Sequence, residues 1–316
     1  MNDRIVVGVD QSTPSRAALA WAVDRAALVG CGLTILHVID HEFDGTADES
    51  QSFARMKASD FLEEELEFAR DRQPHLHVTA ELMRGEPFAA LVSASLTADL
   101  LVLGTHKTGF IHGRATGSRF LGLTIMAQCP VVFIPNSGSG RRTGVVVAVE
   151  DSATGRQAVR YAAAEADRSG HELSLVFSTQ WRESPGEDAE SRAQRELHAL
   201  ERASTVLGGA TTIARELNPR LDVRTRVSRR PLAQELIDAS SSARLVVIGH
   251  AQDRVPLGSP MGVVVHDVLM NLGGPIVVIA NGEADRQRDE HLASLFGFPA
   301  WTTARPATRS QPLETP

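Results

Sequence analysis

The chain opens on a short apolar run, Ile5-Val6-Val7-Gly8-Val9, that ends in Asp10. An unbroken run, rather than an alternation, suits a strand covered on both faces, as in a parallel sheet. Ser12-Thr13-Pro14-Ser15 supplies a capping hydroxyl and a proline for a first helical turn. Ala18, Leu19, Ala22, Ala26 and Ala27 then follow a helical pattern that stops near Gly30. Leu33 to Val38 predicts a second strand, and Phe53 to Arg72 a charged amphipathic helix stopped at Pro74. Leu76, Val78, Ala80 and Leu82 alternate with polar residues and predict a strand, on whose opposite face His75 and His77 would stand. Pro87 opens a helix through about Ser95, Leu100 to Gly104 is another buried strand, and a glycine-rich loop follows. A helix from about Ser118 to Gln128 and the strand Val131 to Ile134 complete the pattern.

The same order is then written a second time. Val145 to Glu150 repeats the opening strand, and Tyr161 falls where Trp21 stood. Leu173 to Phe177, the helix Leu232 to Ala239, Leu245 to Gly249 and Ile276 to Ile279 each find a counterpart in the first copy. A repeat this long marks a duplicated domain rather than a short solenoid unit. Alternating strands and helices predict an α/β fold: two repeated, open, mainly parallel sheets with helices on both faces and right-handed crossovers. The expected boundaries are 1–136, a Ser/Gly/Arg-rich linker at 137–143, a second copy at 144–281, and a flexible tail at 282–316. Within that tail, Leu292, Leu295, Phe296, Phe298 and Trp301 form an apolar island that would dock on a surface or stay loosely ordered.

Composition adds little to this and removes several function classes. A chain of 316 residues with 42% hydrophobic and 22% charged residues is ordinary for a globular protein. A formal net charge of -7 gives no bulk attraction to a phosphate backbone, so nucleic acid is not an expected partner. The first residues lack the basic and long apolar regions of a signal peptide, and no stretch approaches a membrane span. A cytoplasmic protein with no membrane partner is expected. Cys31 and Cys129 stand in small or apolar surroundings and read as two buried thiols.

Candidate chemistry gathers after the first copy's strands. In an open parallel sheet, ligands sit beyond the carboxyl ends, where the strand order reverses. Asp10, Val38 and the loop from Gly104 to Arg119 fall there. Glycines at 104, 109, 113 and 117 allow close backbone approach to a phosphate. The following helix start would add free N–H groups and a partial positive charge. Lys107, His112, Arg114 and Arg119 concentrate positive charge in an acidic chain. A solvated surface loop has the same composition, and spacing alone leaves both readings open. His37, on a buried strand, reads as a hydrogen-bonded core residue.

Both copies resemble the universal stress protein family. The matching segments are Val7-Gly8-Val9-Asp10 with Ser12, Leu36-His37-Val38-Ile39, Ala98 to Gly104, and Cys129-Pro130-Val131-Val132. ATP-binding members of that family carry a G-x2-G-x9-G-[ST] loop. Gly104, Gly117 and Ser118 match it, and Lys107 replaces the middle glycine. The resemblance implies a Rossmann-like fold of the adenine-nucleotide α-hydrolase type. It also implies ATP, with Mg²⁺, as ligand. Asp10 would meet the ribose hydroxyls and the Val38 backbone the adenine edge. Gly104, Gly117 and Ser118 would hold the phosphates, with Lys107 either blocking a close contact or touching a phosphate itself.

The second copy departs further. Glu150, Ser178, Gln252 and Val263 stand at the positions of Asp10, Val38, the middle glycine and Ser118. Loss of tight nucleotide binding there is the simplest expectation. The resemblance further implies that Val131–Ile134 and Ile276–Ile279 pair antiparallel within one chain. Association of whole chains into a dimer, and the identity of any protein partner, stay open. Three functions are compatible with these residues: an ATP-binding regulator of stress adaptation, a nucleotide-free interaction protein, or a slow ATP hydrolase. No G-x4-G-K-[ST] loop and no G-x-S-x-G elbow occurs in the chain.

Overall fold

Strand β1 (Arg4–Val9) lies between two parallel neighbours, β2 (Gly32–Ile39) and β4 (Leu100–Thr105). Both of its faces are covered, so Ile5, Val6, Val7 and Val9 are all buried and the apolar run needs no polar interruption. Helix α1 (Thr13–Val29) follows β1. The Ser12 hydroxyl caps it by accepting from the Ser15 N–H at 3.3 Å, and Gly30 ends it in the left-handed region at φ 75°. The computed structural model describes residues 4–40, 48–105, 110–111, 114–115, 122–136, 140–179, 188–250 and 260–280. All of them lie in a compact unit spanning Met1–Gly282. The expected tail lies outside the described residues.

The first half continues through α2 (Asp48–Arg72), β3 (Val78–Arg84) and α3 (Pro87–Ser95) before β4. Two short strands, β5 (Phe110–Ile111) and β6 (Arg114–Ala115), pair with each other. A helical segment at 122–126 leads into β7 (Val131–Pro135). The second half repeats the order. It runs β8 (Val145–Ala148), α4 (Ala153–Ser169), β9 (Leu173–Ser178), α5 (Ala189–Leu217), β10 (Val223–Ser228), α6 (Leu232–Ser240), β11 (Leu245–His250), α7 (Pro260–Met270) and β12 (Ile276–Ala280). Helix α4 keeps both end signals of α1, with Ser152 as cap and Gly170 at φ 64°.

The two halves share one ten-stranded sheet, ordered β10-β9-β8-β11-β12-β7-β4-β1-β2-β3. Within this sheet pairing is parallel inside each half and antiparallel only between β12 and β7, which is the intrachain pairing expected. Helices α1, α2, α4 and α5 cover one face of the sheet and α3, α6, α7 and the 122–126 segment the other. Each apolar layer runs across both halves. The edge strands β3 and β10 expose Glu81, Arg224 and Arg226, charges that discourage pairing with another chain.

Several expectations need correction. Helix α2 begins at Asp48 rather than Phe53, because its first turn is polar and carries no apolar period. His75 and His77 are exposed in the turn before β3 and not on the strand, which starts at Val78. The described helix before β7 ends at residue 126, short of Gln128. Cys129 is buried, and burial pushes its thiol up to about 12, but Cys31 is only half-buried.

At the end of β11, His250 is 1% exposed, and neither ring nitrogen has a hydrogen-bond partner among the described residues. Thr105 occupies the same place at the end of β4. Desolvation lowers the His250 pKa, so the folded chain holds it neutral while the unfolded chain protonates it near the usual value of about 6.5. Its contribution to stability is therefore intact above that value and is lost as pH falls below it towards the depressed folded pKa. Thermal melts at pH 7.5 and 5.5 test this: His250→Gln is expected to lose less Tm on acidification than the parent. An equal loss in both proteins would remove His250 as a source of acid sensitivity.

Candidate functional site

The strand order within the first half reverses between β1 and β4, and the crevice beyond their carboxyl ends is the candidate site. Asp10 is the residue that leaves β1. Its Oδ1 accepts from the Ser12 N–H at 3.1 Å and from the Ser12 hydroxyl at 2.5 Å. Its own N–H donates to Ser15 Oγ at 3.3 Å, and that hydroxyl donates to the Ser12 carbonyl at 2.9 Å. Between them Gln11 takes φ 67°, a left-handed conformation that costs a residue with a Cβ about 1 kcal/mol. The turn therefore fixes one oxygen of an exposed carboxylate. Oδ2 keeps no partner among the described residues.

Val38 stands one step past the last residue of β2 that faces β1, since their register ends at Val9 opposite His37. On its other side it pairs with Met83 of β3. The His37 ring is spent on structure: its Nδ1–H donates to the Val9 carbonyl at 2.8 Å, and its edge meets Phe61 at 5.1 Å. Gly104 projects beyond the β1–β4 register, which ends at Gly8 opposite Leu103. A Cβ on Gly104 would stand 2.3 Å from the Pro14 carbonyl carbon and 2.5 Å from the Ser15 N. The missing side chain lets the end of β4 lie directly against the start of α1.

Asp10, Val38 and Gly104 are thus brought to one end of the sheet. Lys107, Gly117 and Ser118 lie outside the described residues. Sequence reasoning read Ser12 and Ser15 as capping residues and missed that their hydroxyls also hold Asp10. A serine two and five positions after a strand-terminal aspartate was the available signal. Beside this turn, Gln11, Ser12 and Thr13 form a groove of about 580 Å³ with α2. Buried Glu65 accepts there from Arg16 at 3.1 Å, which ties α1 to α2, and burial raises its pKa against the opposing pull of Arg16. Among the described residues no His, Cys, Asp and Glu cluster is placed to hold a metal, and no helix is long and apolar enough to cross a membrane.

The matching place in the second half is built differently. Glu150 replaces Asp10, and its backbone folds back so tightly that a Cβ on Gly155 would lie 2.3 Å from the Glu150 oxygen. Ser178, at the Val38 position, donates its hydroxyl to the Arg230 carbonyl at 2.9 Å. Val263, at the Ser118 position, is half exposed in the first turn of α7 and offers no hydroxyl. Gln252 lies outside the described residues. Since β12 runs opposite to β7, the carboxyl ends of the two halves' strands lie at opposite ends of the sheet.

The model of the universal stress protein family matches residues 1–135 and again 142–280. The chain belongs to the universal stress protein family. Universal stress protein Rv2005c of Mycobacterium tuberculosis is 30% identical over 296 residues, covering 87% of this chain and 96% of that protein. Universal stress protein Rv2623 of the same organism is 28% identical, with 87% and 95% covered. Similarity therefore extends through both halves. The crystal structure of a universal stress protein from Archaeoglobus fulgidus superposes with a TM-score of 0.60 at 17% identity, covering 90% of this chain and 98% of that one, which supports the fold.

Gly104 and Gly249 make the same approach with different clearance: a Cβ on Gly249 would meet the Thr154 oxygen at 2.9 Å. Backbone cannot rotate away as a side chain can. Gly104→Ala is expected to cost about 2–3 kcal/mol and Gly249→Ala less, by overpacking. Urea midpoints of the two variants check the order, and equal costs would contradict it.

Proposed function

We propose that this universal stress protein is a regulatory ATP-binding protein of the cytoplasm, with the nucleotide held by the first half. The observation that carries this reading is the Asp10 turn. One carboxylate oxygen is immobilised by Ser12, while the other has no partner among the described residues and would be the acceptor offered to a ligand. A fixed acceptor of that kind suits paired hydroxyls such as those of a ribose. Gly104 packs the end of β4 against the start of α1, and its backbone would meet the phosphates at that strand end. The Val38 backbone, one step past the β1 register, would meet the adenine edge. Gly117, Ser118 and Lys107 would complete the phosphate contacts, and Mg²⁺ would offset phosphate charge. The second half pairs with the first and keeps Gly249, but Glu150, Ser178 and Val263 stand where the first half has Asp10, Val38 and Ser118, so it would not hold the nucleotide.

Equilibrium dialysis with labelled ATP tests the assignment. Asp10→Ala is expected to weaken binding at least ~10-fold, the loss of one charge-assisted hydrogen bond, whereas Glu150→Ala leaves it unchanged. Binding that ignores Asp10→Ala, or that follows Glu150→Ala instead, would reject the assignment. A second reading is favoured by Lys107 at the middle-glycine position: a chain of the same fold that acts through protein contacts without nucleotide. Under that reading the parent binds no ATP in the same dialysis.

A further inference from the structure

The two halves are related by a local twofold axis, and the register of β7 and β12 locates it. Val132 pairs with Val277, and each is the other's equivalent in the repeat. Phe133 and Val131 pair with Ile276 and Val278, which are also exchanged by the repeat. Any contact between repeat-equivalent residues must straddle this axis. One such contact is charged. Arg25 of α1 and Glu165 of α4 stand 140 residues apart, as do the capping residues Ser12 and Ser152, and the Arg25 guanidinium donates to Glu165 Oε1. Both residues are buried, at 8% and 7% exposure. Trp21 and Tyr161, equivalent in the same way, pack against the same apolar layer.

A twofold axis that carries opposite charges at one equivalent position is not self-complementary. Pairing a first half with another first half would bring Arg25 against Arg25. Its neighbour Asp24 gives no relief, because both of its oxygens accept from Arg72 at 2.8 and 2.7 Å. Pairing two second halves would bring Glu165 against Glu165, relieved in part by Arg168, which contacts Glu165 at 2.7 Å on the same helix, and by the nearby charge of Arg244. The equivalent of Arg168 in the first half is Leu28. We infer that the Arg25–Glu165 contact is a partner-selection device: it directs the first half to pair with a second half and rejects pairing between like halves of separate chains. A buried ion pair adds little net stability over an apolar pair, whereas two like charges buried together carry a large penalty, so its consequence is selectivity rather than strength.

Full-length Arg25→Glu and Glu165→Arg chains each place like charges at the axis, and together they restore opposite ones across two chains. Each variant is refolded alone and then with the other, and native mass spectrometry resolves the two masses. Alone, each is expected to melt roughly 10 °C below the parent, as a broken buried pair in a unit of this size would. Together they are expected to form a mixed two-chain species well above random assortment, melting close to the parent. Random or below-random assortment overturns the inference, as do single variants that melt like the parent. Should either variant be insoluble alone, soluble protein recovered only on co-refolding supports it, and an insoluble mixture overturns it.

Discussion

The antiparallel pairing of β7 with β12 is the constraint from which the rest of the architecture follows. Each half ends on an apolar strand, Val131–Pro135 or Ile276–Ala280, whose backbone would otherwise be an exposed hydrophobic edge. Joining the two edges turns two parallel sheets into one ten-stranded sheet and leaves only the charged strands β3 and β10 at its margins. It also brings α1 and α4 together on one face, where Arg25 meets Glu165. The direction reversal at this seam carries the two switch points to opposite ends of the sheet. A ligand in one therefore does not touch the other, and each crevice has been free to diverge.

That divergence is uneven along the chain. The framework residues are kept in both halves: the capping serines Ser12 and Ser152, the left-handed Gly30 and Gly170, and the close-approach glycines Gly104 and Gly249. The replaced residues lie at the crevices and at the axis. Asp10, Val38 and Thr105 give way to Glu150, Ser178 and His250, and Arg25 to Glu165. Folding needs the first group twice. The proposed binding would need the crevice residues only once, and a twofold contact between unlike halves works best when its two sides differ.

Much of this was legible in the residues. The strands β1, β4, β8 and β11 are buried on both faces, so their apolar runs stand out from any loop or helix. The helix ends announced themselves through serine, proline and glycine, and the repeat fixed the topology once. What escaped had physical reasons. Arg25 and Glu165 sit on helices where charges ordinarily face solvent, and only the axis brings them together. His75 and His77 continued an alternation that the Gln73–Pro74 turn had interrupted. Helix α2 begins in polar residues that carry no period. At the candidate site, the strand-end positions of Asp10, Val38 and Gly104 were legible, while the hydroxyl bracing of Asp10 depends on a left-handed Gln11 that composition does not announce.

The proposed function requires one intact nucleotide site in a chain built from two copies of the same fold. Isothermal titration calorimetry of the full chain with ATP and Mg²⁺ measures that directly through its stoichiometry. A single site per chain is the result the account predicts. Two equivalent sites, or no heat of binding at all, would contradict it.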